Sequence, residues 1–78
     1  MMTSQEAVVL RIQELCQQKG LTYYNLAYLS AIPKSSLMSI LYGTNPTITT
    51  LNKICGGFDI SLQEFFSSEL FSDCDDLE

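Results

Sequence analysis

Apolar residues along this chain recur at intervals of three and four, and no segment shows the strict alternation of a strand, so the pattern predicts helices. Val8, Val9, Ile12, Leu15 and Cys16 form one such stripe. They predict a first helix over residues 4–18, opened by Thr3 and Glu6 at capping-box spacing and stopped by Gly20. Thr22 is placed to cap a second helix over residues 23–30, with Leu26 and Ala27 turned inward. It stops there because Pro33 pushes Ile32 out of helical conformation.

A third helix over residues 33–42 uses Pro33 where its fixed torsion and missing N–H cost least, and Gly43 closes it. Leu37, Ile40 and Leu41 face in. The loop Gly43-Thr44-Asn45-Pro46 leads to Thr47, the expected cap of a fourth helix over residues 48–55, with Ile48, Leu51, Ile54 and Cys55 inside and Gly56 and Gly57 as its end. Ser61 and Glu64 repeat the capping-box spacing before a last helix, where Leu62, Phe65 and Phe66 are expected to close the core. The fold class is therefore all-α, with five short helices. The three or four residues between the second and third match the spacing of a helix-turn-helix.

A chain of 78 residues has room for one small core, and a composition of 46% apolar and 17% charged residues is that of a folded domain. A domain of this size buries about 60% of its unfolded surface. The longest apolar runs, such as AVVL at 7–10, are far short of a membrane span, and MMTSQE has neither a basic stretch nor a cleavable apolar region. A soluble, cytoplasmic protein with no membrane partner is expected. Three cysteines, Cys16, Cys55 and Cys74, without C-x-x-C spacing and without any histidine, argue for reduced thiols, no metal site and no cofactor. Cys16 and Cys55 fall on apolar stripes and are expected in the core, Cys74 at the surface.

The net charge of −5 opposes nucleic-acid binding until its distribution is considered. Glu69, Asp73, Asp75, Asp76 and Glu78 put five negative charges in the last ten residues, which leaves residues 1–68 with four charges of each sign. The chain divides into a neutral domain, 1–68, and an acidic C-terminal tail, 69–78. That tail is either a frayed, solubilising terminus or a segment whose Leu70 and Phe71 dock on the domain or on a second copy.

In this order and spacing, Leu21-Thr22, Leu26-Ala27, Ile32, Ser36-Leu37, Ile40, Gly43, NPTITTLNKI and ISLQEFF resemble the Cro and lambda-repressor-like helix-turn-helix domains, often called Xre-like. The resemblance covers about residues 8–66 and is closest to small bacterial and phage regulators whose third helix begins with proline. It implies a five-helix lambda-repressor-like DNA-binding domain, with the helix-turn-helix at helices 2 and 3, in a transcriptional regulator that acts as a repressor on double-stranded DNA. The third helix would enter the major groove with Lys34, Ser35, Ser36 and Ser39 at base edges or nearby backbone. Thr22, Tyr23, Thr44, Asn45 and Thr47 would lie at phosphates. A homodimer on two half-sites about 34 Å apart is the mode the resemblance implies, with helix 5 and the tail as the available surface.

Departures from the family pattern are informative. Tyr23 stands where members often carry glutamine, Ala31 where the turn usually has glycine, and the third helix has no Arg, Asn or Gln for bidentate base contacts. Lys34 is its one strong donor. Arg11, Lys19 and Lys53 are read as ordinary surface charges, Arg11 pairing with Glu14, and Tyr24 and Tyr28 as one surface stripe. The alternative function is a protein-protein interaction module on the same scaffold with weak or no DNA binding, and an acidic tail folded over the DNA face would reconcile the two. An enzyme is not expected: there is no histidine, no phosphate loop, no paired carboxylates outside the tail, and no general base beside the thiols.

Overall fold

The computed structural model describes residues 2–76, and five α-helices account for most of them: α1 Ser4–Lys19, α2 Tyr23–Leu29, α3 Lys34–Leu41, α4 Ile48–Phe58 and α5 Leu62–Phe65. A 3₁₀ turn, Glu69–Phe71, follows. No strand occurs among the described residues, only an isolated parallel bridge between Met2 and Cys74.

Polar residues fix where the helices begin. Thr3 Oγ1 accepts from the Glu6 N–H at 3.1 Å while Glu6 Oε1 accepts from the Thr3 N–H at 2.9 Å, a complete capping box. Thr22, Thr47 and Ser61 each accept the N–H three residues on at 3.0 Å. Each satisfies an otherwise orphaned donor, worth about 1 kcal/mol.

Four helix ends share one device. The chain turns at positive φ at Gly20, Ala31, Gly43 and Asp59, and after each of them the next N–H returns to a carbonyl five residues back: Leu21 to Cys16, Ile32 to Ala27, Thr44 to Ser39, Ile60 to Cys55. These are Schellman closures. Two lack glycine, and α4 is where the expected boundary was wrong. It does not end at Gly56-Gly57 but runs on to Phe58, with Asp59 at φ 60° as its cap. Burial of Phe58 outweighs a helix-propensity penalty of about 1 kcal/mol per glycine.

The core consists of Val8, Ile12, Leu15 and Cys16 from α1, Leu26 and Ala27 from α2, Leu37 and Ile40 from α3, Leu51, Ile54, Cys55 and Phe58 from α4, and Phe65. Three expectations about it are corrected. Ile48, the first residue of α4, is 64% exposed, because the buried stripe starts one turn later at Leu51. Phe66 sits at the rim, its ring centroid 5.1 Å from Phe65 and 4.8 Å from Phe71 in edge-on contacts. Arg11 is no ordinary surface charge: besides Glu14 at 2.8 Å, it donates to the carbonyls of Phe65 at 2.7 Å and Glu64 at 2.9 Å.

The segment after Ser68 lies along α1. Phe71 joins the aromatic cluster, the Asp75 N–H donates to the Met2 carbonyl at 2.9 Å, and Asp76 accepts from the Ser4 N–H at 2.7 Å and the Ser4 hydroxyl at 2.8 Å. Cys74 is half-buried rather than exposed, its Sγ 3.5 Å from the Leu70 carbonyl. Leu77 and Glu78 of the acidic segment lie outside the described residues. Burial pushes the thiols of Cys16 and Cys55 above the ordinary cysteine value, Arg11 pulling the latter partly back. Both are buried as neutral apolar residues.

Candidate nucleic-acid interface

The geometry of the interface starts at Ala27, buried where α2 crosses α3. Its carbonyl accepts the Ile32 N–H at 3.1 Å, Ala31 adopts φ 57°, and Pro33 at φ −61° and ψ 144° launches α3 in a new direction. Leu37 and Ile40 hold α3 to the core. That leaves Lys34, Ser35, Ser36 and Ser39 exposed together on the outer face. Their side chains make no hydrogen bond or ion pair among the described residues.

The start of α2 and the loop after α3 flank this face. Thr22 Oγ1 accepts from the Asn25 N–H and donates to Asn25 Oδ1 at 2.8 Å, so its hydroxyl belongs to the cap. What the end of α2 offers a ligand is its first backbone N–H groups. Thr47 is used in the same way, toward Thr50 at 3.0 Å. Tyr23 is half-buried against the core, whereas Thr44 and Asn45 are exposed. The nine residues singled out from sequence thus divide into four outward side chains on α3, two outward loop residues, two caps and one half-buried tyrosine.

Two features escaped the sequence reading. Between Glu14 and Asp59 the chain has no acidic residue and three lysines, Lys19, Lys34 and Lys53. The helix-turn-helix therefore lies in a stretch of net charge +3 inside an acidic protein, a signal carried by the 44 residues between two successive carboxylates and averaged out over residues 1–68. The second is Gln5, whose Nε2 donates to the Ile40 carbonyl at 2.8 Å and the Thr44 carbonyl at 3.3 Å. No sequence signal marks it, since a glutamine in the first turn of a helix ordinarily faces water. No group of acidic or cysteine residues suited to a metal ion occurs among the described residues, and none of the described helices is long and apolar enough to cross a membrane.

Comparison with known proteins agrees with this geometry. A family model described as the Cro/C1-type HTH DNA-binding domain matches residues 11–69. The HTH-type transcriptional regulator PuuR of Escherichia coli (strain K12) is 38% identical over 58 residues, covering 73% of this chain and 31% of that protein. The chain thus matches about a third of the length of this relative. Among solved structures, prophage Lp1 protein 11 superposes with a TM-score of 0.82 at 33% identity, covering 94% of this chain and 99% of that one. The wild-type restriction-modification controller protein C.Esp1396I superposes with a TM-score of 0.77 at 29% identity, covering 87% and 88%.

Proposed function

Since the chain belongs to the Cro/C1-type helix-turn-helix DNA-binding family, we propose that it is a sequence-specific transcriptional regulator, a repressor, that reads the major groove with α3. Lys34 supplies the charged donor, and Ser35, Ser36 and Ser39 make a face low enough to approach base edges. Phosphates lie at the N–H groups opening α2 and α4, next to Tyr23 and beside Thr44 and Asn45. Thr22 and Thr47 serve there as the caps that aim those groups. Residues 1–68 form the reading unit, with 69–78 as its acidic appendage, and the protein works in the cytoplasm as a homodimer.

The observation that carries this reading is the unpartnered polar face of α3 within a segment free of acidic residues. In an otherwise acidic protein that placement leaves Lys34 without an acidic neighbour on α2 or α3. Its test is selection of bound duplexes from a random DNA pool, with analytical ultracentrifugation of the winning complex. A two-fold symmetric site carrying two protomers is the expected result; absence of enrichment at low salt from folded protein refutes it.

One observation favours the interaction module as a second reading. Of four cationic side chains, Arg11 is consumed inside the fold, which leaves three lysines to face any polyanion. A folded chain that enriches no duplex shifts the search to protein partners.

A further inference from the structure

We propose that Gln5 is a positioning residue for DNA binding, a role that rests on the regulator reading above. It fixes the loop after the recognition helix from a distance of 35 and 39 residues in sequence.

Residues 43–47 form a loop with little of its own to hold it. Its backbone bonds are the closure of α3, Gly43 N–H to Ile40 and Thr44 N–H to Ser39, both at 3.0 Å. Asn45 donates no backbone bond, Pro46 has no N–H to give, and the next backbone contact is the Leu51 N–H to Thr47 at the start of α4. Yet this loop carries Thr44 and Asn45, and it sets the direction of the N–H groups that open α4. Gln5 supplies the missing constraint. Its primary amide has two N–H bonds; one meets the Ile40 carbonyl in the last turn of α3, the other the Thr44 carbonyl inside the loop.

The donor is itself held firmly. It lies two residues after the Thr3 cap and two before Ala7, which with Val8 is buried in the core, so α1 cannot shift without opening that core. Ile40 is buried and its carbonyl already accepts from Gly43, so the end of α3 is equally fixed. One side chain thus ties α1, the recognition helix and the phosphate-facing loop into a single geometry. It also lines an open concavity with Thr3, Ser4, Glu6, Gly43, Asn45 and Asp76, which brings the start of α1 against the loop after α3.

Gln5→Ala removes both donors. Gln5→Glu keeps the shape but turns an ionised carboxylate toward two carbonyl oxygens, and it regains a single O–H donor only when protonated. Affinity for the selected duplex is measured by fluorescence anisotropy at pH 7.5 and pH 5.0, with circular dichroism recording helix content and thermal midpoint. The expected result at pH 7.5 is a loss of about fivefold to tenfold for Gln5→Ala and a larger loss for Gln5→Glu, with helix content unchanged. A carboxyl held against two carbonyl oxygens protonates above the ordinary glutamate value of about 4.3, so lowering the pH to 5.0 returns part of the binding to Gln5→Glu relative to Gln5→Ala, a difference that loss of generic stability would not produce. Variants that bind like wild type, or a Gln5→Glu deficit that does not narrow against Gln5→Ala, overturn the role of Gln5. A wild-type chain that binds no duplex overturns the regulator reading itself.

Discussion

Arg11 on α1 donates its Nε–H to the carbonyl of Phe65, 2.7 Å away, and thereby closes the last helix from across the fold. The helix α5 has only four residues, too few to satisfy its own final carbonyls. The guanidinium fork serves two of them, Phe65 and Glu64, while its other nitrogen meets Glu14, and just 11% of the side chain remains exposed. It therefore acts as a detached C-cap that also holds the Phe65 ring in the core.

Arg11→Ala strands the Phe65 carbonyl at a half-buried site, while the Glu64 carbonyl keeps the Ser67 hydroxyl at 2.8 Å and the Ser67 N–H at 3.2 Å, and the expected loss is about 1–2 kcal/mol by urea denaturation. Arg11→Lys loses nearly as much, because an ammonium point charge cannot reproduce the planar fork toward two carbonyls and a carboxylate. Wild-type stability in the lysine variant would show that charge alone matters here.

The two glycines of α4 are expected to respond in opposite directions. A Cβ on Gly56 meets nothing within 4 Å, so Gly56→Ala gains about 0.5–1 kcal/mol of helix propensity. A Cβ on Gly57 collides with Ser30 Oγ and crowds the Ser30 nitrogen and Leu26 Cδ1 at 3.1 and 3.2 Å. Gly57→Ala therefore loses about 1–3 kcal/mol. Ser30 Oγ is buried without a hydrogen-bond partner, so Ser30→Ala alone is close to neutral and partly relieves Gly57→Ala. Equal midpoints for the two glycine variants would remove the close approach from the account.

This pair shows what was legible in the sequence and what was not. Starts of helices were readable at Thr3, Thr22, Thr47 and Ser61, because a cap acts on residues three positions away. Ends read from glycine failed at Gly56-Gly57, where one glycine answers to a different helix and the turn falls on Asp59 instead. Among candidate site residues, the outward set on α3 followed from periodicity, since Leu37 and Ile40 fix which side is inside. Docking of Phe71 on the domain was one of the two readings the tail left open, but the bonds of Gln5, the carbonyl partners of Arg11 and the contact of Asp76 with Ser4 were not legible, because each depends on a partner 35 or more residues away in sequence.

Ala31 at φ 57° makes the helix-turn-helix turn with a Cβ in the left-handed region, which disfavours L residues by about 1–2 kcal/mol. Ala31→Gly removes that strain but loosens the unfolded chain, so a net gain of about 0.5–1 kcal/mol is expected. Ala31 is exposed, and the substitution touches no neighbour in the core. A lowered thermal midpoint would contradict the strain argument.

The contact between Asp76 and Ser4 should respond to acid in one direction only. The Ser4 backbone N–H, and then its hydroxyl, hold the Asp76 carboxyl below the ordinary aspartate value, so the folded form favours the ionised state. Whatever the contact contributes is complete above that ordinary value of about 3.9 and is lost as pH falls below it through the lowered one. Nuclear magnetic resonance of the Ser4 amide should show no change from pH 8 to pH 5 and a transition below pH 4. A midpoint at or above the ordinary value would mean that Asp76 is free in solution.

Lys34 opens α3 and is the one lysine or arginine between Gly20 and Asn52, so it alone carries the charge of the outer face of α3. Lys34→Ala should weaken binding to the selected duplex and lower the slope of log affinity against log salt by about 1 if it neutralises one phosphate. The same variant leaves the slope nearly unchanged but flattens the preference at one base position if it donates to a base edge. Lys19 and Lys53, exposed on other helices, are the controls, because a field effect of net charge alone would appear equally in Lys53→Ala. A loss confined to Lys34→Ala places the contact on α3, and equal losses in all three variants would mean that DNA senses the +3 segment without being read by this helix.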